Sequence, residues 1–92
     1  MTGAVSGEIF YIDHFGNAIT DIKSDALAML GDRYNVEVKG RAVPQMRYYA
    51  QAEEKVLCCL VNSSGYLELF VNKGNASEKY GLKKGDKVVV TY

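Results

Sequence analysis

Two apolar runs, Val56–Val61 and Tyr66–Val71, are separated only by Asn62-Ser63-Ser64-Gly65. No other feature narrows the choice of fold so far. Each run is too short for a buried helix and is rich in β-branched, aromatic and aliphatic residues, and the residues between them are turn formers. Together they predict an antiparallel hairpin. The first run is continuously apolar and predicts the most buried strand. In the second, Leu67, Leu69 and Val71 face away from Tyr66, Glu68 and Phe70.

The rest of the chain has the same character. Glu8 to Asp13 reads as a first strand that resumes past Asn17 after an irregularity at Gly16. Tyr34, Val36 and Val38 alternate with Asn35, Glu37 and Lys39, a half-buried strand ending at Gly40. Pro44 marks a break or an edge position. Met46 to Ala50 reads as a strand carrying Tyr48 and Tyr49, followed by an acidic turn at Glu53-Glu54, and Val88 to Tyr92 as the last strand. One helix is predicted, with Ser24 as its cap, Asp25 in the first turn, Ala26, Leu27 and Leu30 as the apolar stripe, and Gly31 as the stop. Ser77 to Tyr80 adds a single helical turn. Residues 1–6 read as a leader or linker remnant without structure, and residues 7–92 as one domain. About six short strands with one short helix predict an all-β fold, a small antiparallel barrel or sandwich rather than an α/β layer.

Composition excludes several functions. Eleven basic and eleven acidic residues give a formal charge of zero, so nothing attracts nucleic acid or an anionic membrane. The chain contains no apolar stretch near the roughly 20 residues a membrane helix needs, and its start lacks a signal-peptide pattern. A cytoplasmic protein is expected. Cys58 and Cys59 are adjacent inside an apolar run and point to opposite faces, which predicts buried free thiols rather than a disulfide or a zinc site.

Catalytic groups are scarce. His14 is the single histidine, and a triad would need Asp13 beside it with Ser63 or Ser64 as nucleophile. Neighbouring residues on an extended chain point apart, which argues against it. No phosphate-binding or dinucleotide glycine pattern is present. What the chain does offer is turns rich in serine, asparagine and glycine, with Tyr48 and Tyr49 as candidates to stack on a planar heterocycle whose edge such turns can read.

The ordered set Ile12-Asp13-His14-Phe15-Gly16-Asn17, Thr20, Tyr49-Ala50, Asn62-Ser63-Ser64-Gly65-Tyr66-Leu67-Glu68-Leu69 and Gly74-Asn75-Ala76 resembles the C-terminal domain of the S-adenosylmethionine hydroxide adenosyltransferases. These are adenosine-forming S-adenosylmethionine hydrolases related to the fluorinase and chlorinase. The resemblance runs from Gly7 to Tyr92. It implies a small closed antiparallel β-barrel, Greek-key-like, which in the family follows an N-terminal α/β domain and assembles as a trimer. The ligand then lies between the N-terminal domain of one subunit and the C-terminal domain of the next.

The resemblance implies a substrate-binding set and no catalytic or metal residue in this stretch. Asp13 would bind the methionine amino group, Asn17 and Tyr49 would hold and stack adenine, and Phe15 would stand beside them. Ser63 and Ser64 would meet the amino-acid end, and the backbone near Asn72 and Lys73 would read the adenine edge. S-adenosylmethionine is implied as substrate, with no cofactor. Three positions depart from the family pattern: Asp21 replaces a common asparagine, Ser64 a common arginine, and Val71 an arginine of the halogenating relatives. The last argues against halogenation.

The implied function is the adenosyl-binding half of a hydrolase converting S-adenosylmethionine and water to adenosine and methionine. With no counterpart of the N-terminal α/β domain in 92 residues, the chain by itself should be inactive. The competing expectations are a stand-alone module that binds a nucleoside or a protein, and a structural oligomerisation barrel.

Overall fold

The computed structural model describes residues 4–91. Its strands are β1 (Ala4–Ile12), β2 (Ala18–Lys23), β3 (Asn35–Val38), β4 (Arg41–Val43), β5 (Leu57–Val61), β6 (Tyr66–Val71) and β7 (Lys87–Thr91), with short helices α1 (Ser24–Ala28) and α2 (Ala76–Tyr80). They form one sheet in the order β4-β3-β7-β1-β2-β6-β5, in which every neighbouring pair is antiparallel. The sheet curls until its two edges meet. Beyond β4 the chain bridges β5 in parallel at Gln45 and Cys59, where Met46 N–H donates to Cys59 O (2.7 Å) and Cys59 N–H donates to Pro44 O (2.9 Å). Pro44, with no N–H to offer, accepts at the seam. The result is the nearly closed all-β barrel expected.

The barrel interior is filled by Ile9, Val36, Val38, Leu67, Leu69, Val88 and Val90, each essentially without solvent contact. These are the inward positions of the period-two pattern. β1 is shared, pairing with β7 from Ala4 to Glu8 and with β2 from Ile9 onward, and the register shifts between Ile9 and Tyr11. Gly7 permits the crossing, because a Cβ there would stand 2.3 Å from Asp21 Oδ1. That same oxygen accepts from Glu8 N–H at 2.9 Å. Asp21 thus serves the strand crossing, a bond that an asparagine oxygen could equally accept.

Four local expectations are corrected. β1 begins at Ala4, inside the supposed leader, because Ala4, Val5 and Ser6 find ladder partners in Thr91, Val90 and Val89. Residues 1–3 of that leader, and Tyr92 of the last strand, lie outside the described residues. Ser24 is the first helical residue rather than the cap. Its N–H is already taken by Gly65 O at 2.8 Å, and α1 ends at Ala28, before Gly31. Arg41–Val43 forms a separate strand, since Lys39 and Gly40 both adopt left-handed φ (52° and 74°) and reverse the chain in two residues.

The stretch 46–50 is not a strand: past the bridge at Gln45 the chain leaves the sheet, and Tyr49–Gln51 make a 3-10 turn. Gln51 Oε1 accepts from Arg47 N–H at 2.8 Å, which holds that turn closed. The segment lies over the outer face of β5 and β6, where Met46, Ala52, Cys58, Leu60 and Phe70 form a second, smaller core.

Both cysteines are buried free thiols, as expected. Burial, with a smaller contribution from Cys58, pushes the Cys59 thiol up from its ordinary 9.0 to about 12. In the unfolded chain the thiol ionises near 9.0, whereas the folded barrel keeps the proton until about 12. Stability supplied by this group is complete below the lower value and is lost as pH rises through that window. The urea midpoint should decline on raising pH from 9 to 12, and Cys59→Ala should make the decline shallower. An identical slope in the variant would remove Cys59 as its source.

Candidate functional site

Three segments converge beside the outer face of β6. The first is the loop between β1 and β2. Asp13 Oδ1 accepts from the N–H groups of Phe15 and Asn17, both at 2.9 Å, and Asp13 Oδ2 lies 3.3 Å from Asn17 Nδ2. An aspartate that bonds the backbone two residues on makes a compact turn, and the loop is closed further by Asp13 N–H to Asn17 O at 3.0 Å. Gly16 sits inside this loop with φ +84°, and its carbonyl accepts from Ser77 N–H at 2.9 Å, tying the loop to α2. Phe15 is left facing solvent, 71% exposed, and Asn17 is half-buried.

The second segment supplies Tyr49. Its ring meets Phe70 edge-on, 4.9 Å between centroids and 77° between planes, and its hydroxyl donates to Glu68 Oε2 at 2.8 Å. Burial first, then that hydrogen bond and the negative charges of Glu68 and Asp13, pushes the phenol up to about 12. It stays a neutral donor across the physiological range. The third segment is the turn after β6. Gly74 N–H donates to Val71 O (3.1 Å), and Lys73 is left-handed (φ 57°). Asn72 Nδ2 donates to Ala52 O at 2.8 Å, and Lys73 Nζ pairs with Glu54 at 2.9 Å.

Between these segments lies a groove of about 360 Å³ lined by Phe15, Asn17, Tyr49, Phe70 and the 71–74 turn. It offers aromatic faces, two side-chain amides (that of Asn72 already donating to Ala52 O) and turn backbone, the equipment for holding a flat heterocycle by face and edge. A larger hollow of about 520 Å³, between Asp32–Asn35 and Gln45–Arg47, is walled mainly by charged and amide side chains. Its single aromatic, Tyr34, is only half-buried, and none of the candidate residues lines it. The groove is the better site on chemistry. Among the described residues no group of histidine, cysteine and carboxylate side chains could hold a metal ion, and no helix is long and apolar enough to cross a membrane.

Residues 7–89 match the model of the SAM hydroxide adenosyltransferase C-terminal domain. The chain belongs to that family. It is 38% identical over 85 residues to the (R)-S-adenosyl-L-methionine hydrolase of Thermus thermophilus, covering 92% of this chain and 31% of that enzyme. A solved structure of a conserved hypothetical protein from Thermus thermophilus superimposes with a TM-score of 0.79 at 38% identity, covering 97% of this chain and 36% of that one. An uncharacterized conserved protein from Thermotoga maritima gives 0.80 at 27% identity, over 92% of this chain and 35% of that one. The chain thus spans about a third of the length of these relatives.

Against this SAM hydroxide adenosyltransferase barrel, the candidate residues fall into two places. Phe15, Asn17, Tyr49, Asn72 and Lys73 line the groove. Asp13 does not line it: its Oδ1 is filled by two backbone N–H groups, and its Oδ2 accepts only the longer bond from Asn17 Nδ2 at 3.3 Å. Ser63 and Ser64 lie in the turn before β6, at the other end of that strand, and do not line the groove. Ser64 borders a separate depression with Lys23, Ser24, Asp25 and Tyr66. His14 is exposed, and its ring meets that of Phe15 edge-on at 5.5 Å between centroids. Tyr48, the other stacking candidate, is 60% exposed and does not line the groove.

Sequence reasoning missed Phe70, which forms the floor, and Asn75, whose side chain accepts from Glu78 N–H to cap α2. Asn75 before a helical turn ending at Gly81 was the available signal. Gly16 and Asn75 touch so closely that a Cβ on Gly16 would fall 2.0 Å from Asn75 Oδ1. Gly16→Ala should therefore strain a left-handed residue and dislodge the α2 cap, costing roughly 2–3 kcal/mol in urea unfolding. A loss below about half a kcal/mol would show that the contact yields freely.

Proposed function

We propose that the groove beside Tyr49 is the adenine-binding half of an S-adenosylmethionine hydrolase-like site, completed by an α/β domain. The supporting observation is the convergence of Phe15, Asn17, Tyr49 and the Asn72-Lys73 turn on one groove in a chain of this family. In this reading adenine stacks on Tyr49, Asn17 bonds its edge, and turn backbone at Asn72 and Lys73 reads the remainder. Asp13 Oδ2 takes the methionine ammonium by a charge-assisted bond. Ser63 and Ser64 serve the amino-acid end as contacts belonging to the assembled enzyme. The completed site hydrolyses S-adenosylmethionine to adenosine and methionine by attack of water or hydroxide at the ribose C5′. The lone chain binds without catalysis, and the working assembly is a cytoplasmic trimer.

Exposed apolar side chains support a covered surface on this side. Phe15 and Tyr49, both lining the groove, are 71% and 45% exposed. A module that binds a nucleoside alone would expose the same rings, so the partner domain separates the two readings.

Calorimetry with adenosine should detect binding to the chain. Asn17→Ala should weaken it about tenfold with the thermal melt unchanged, the loss of one or two hydrogen bonds at the ligand edge. Unchanged affinity would remove Asn17 from the site, and no heat at millimolar adenosine would leave the structural barrel as the surviving account. Adding a separately produced N-terminal domain of a relative should generate adenosine from S-adenosylmethionine, and a stable but inactive complex would refute the enzyme-half reading. Ser63→Ala and Ser64→Ala should spare adenosine binding and impair only that reconstituted reaction.

A further inference from the structure

Two polar side chains of the described residues are buried among the apolar ones, Thr20 and Glu68. Thr20 is explained by the barrel: its hydroxyl donates to Leu67 O at 2.8 Å and accepts from Ile22 N–H at 3.2 Å, filling the gap where β2 and β6 lose register. Glu68 has no such backbone duty. It points to the outer face of β6, opposite Ile19 and Leu60 in the neighbouring ladders, and is 4% exposed. A carboxyl group in that position is costly unless both oxygens are partnered. Both are: Oε2 accepts from Tyr49 OH at 2.8 Å and Oε1 from Asn62 Nδ2 at 3.1 Å.

The partners come from different parts of the chain. Tyr49 belongs to the segment that lies over the sheet. Asn62 belongs to the β5–β6 turn, where its Oδ1 accepts from the N–H groups of Ser64 (3.0 Å) and Tyr66 (3.1 Å). Those two bonds fix which end of the Asn62 amide faces Glu68, so the amide must donate to it. A continuous chain of hydrogen bonds therefore runs from the Ser63-Ser64 turn through Asn62 and Glu68 to the phenol of Tyr49.

We infer that Glu68 is a positioning residue for the groove: it touches no ligand, but its carboxyl group fixes the Tyr49 ring against Phe70 and couples it to the Asn62 turn. The 3-10 turn carrying Tyr49 has no ladder to hold it, and the tyrosine is 45% exposed. Its ring orientation depends on the edge contact with Phe70 and on this one hydroxyl bond. Releasing the hydroxyl frees the ring to rotate, and a stacking platform that rotates loses affinity by having to be ordered on binding. The consequence for nucleoside binding rests on the adenine reading of the groove; the consequence for the ring does not.

The experiment therefore has a ligand-free arm and a ligand arm. In the free chain, ring-to-ring nuclear Overhauser contacts between Tyr49 and Phe70 report orientation, and the pH titration of the Tyr49 ring carbon reports its environment. Glu68→Leu removes both acceptors while suiting the apolar neighbours. It should weaken the ring contacts, bring the Tyr49 midpoint below about 12 by the part due to the Glu68 bond and charge while burial still keeps it raised, and reduce adenosine affinity about tenfold. Glu68→Gln can accept from Asn62 through its oxygen and donate to the phenol through its nitrogen, so it should retain the ring contacts and stay within about twofold of wild-type affinity.

Unchanged ring contacts in Glu68→Leu would overturn the inference, as would altered contacts with undiminished adenosine affinity. So would a glutamine variant as damaged as the leucine one. If Glu68→Leu fails to fold, Tyr49→Phe tests the link from the other end: the ring should lose its defined approach to Phe70, and a retained edge-on geometry would overturn the inference. Absence of adenosine binding by the wild-type chain would instead sink the adenine reading, and the ligand-free contacts would then decide on Glu68.

Discussion

Most of this structure depends on β6 being buried on both faces. Its inward residues, Leu67, Leu69 and Val71, fill the barrel, while Glu68 and Phe70 on the outer face are covered as completely. A strand in a small antiparallel barrel normally leaves its outer face to water. Here the chain between β4 and β5 supplies the cover, and it does so from the place where the barrel closes. The bridge at Gln45 and Cys59 joins the two edges, and the same segment then continues outward over Cys58, Leu60 and Phe70. Closure of the barrel and construction of the groove wall are one event in the chain's path.

That arrangement explains why the polar groups near the groove are rigidly held. Asn72 is pinned to Ala52 and Lys73 to Glu54, so the turn after β6 and the covering segment brace each other. The exposed Lys73–Glu54 pair adds little energy, but the buried-side bonds at Asn72 and Glu68 are costly to leave unmade. On the other side, Asp13 accepts through both oxygens from its own loop, and Gly16 ties that loop to α2. The groove is thus bounded by three segments, each anchored by a bond to something other than itself.

The hairpin of β5 and β6, the alternation of β3, the free buried thiols and the all-β class were legible because each follows from local period and turn composition, whereas the closed barrel, rather than a sandwich, came from the family resemblance. Asp13, Asn17 and Tyr49 stood out as unusual residues beside apolar runs, and the family resemblance grouped them. The covering segment was not legible. Met46 to Ala50 has the composition of a strand, and only the tertiary need to cover Phe70 and Leu60 makes it a turn instead. For the same reason Glu68 read as an outward polar residue of an alternating strand, when it is among the most buried in the chain. Ser24 lost its expected role to Gly65, a partner far away along the sequence, which no local rule detects.

The electrostatics of the groove separate recognition from chemistry. Every charged group at or behind it already has a partner within the chain: Asp13 holds the Phe15 and Asn17 amides, Glu68 holds Tyr49 and Asn62, and Lys73 pairs with Glu54. The Tyr49 phenol, raised to about 12, is a poor base and a weak acid at neutral pH. Groups so engaged can orient a bound heterocycle at little further entropic cost, but none is poised to activate a water or stabilise charge developing on a leaving group. Binding energy gathered here lowers a barrier only if it is used to align the reacting carbon with groups that are free to act. On the adenine reading proposed above, a groove built this way would present the heterocycle to a second surface, with the exposed rings of Phe15 and Tyr49 at its border.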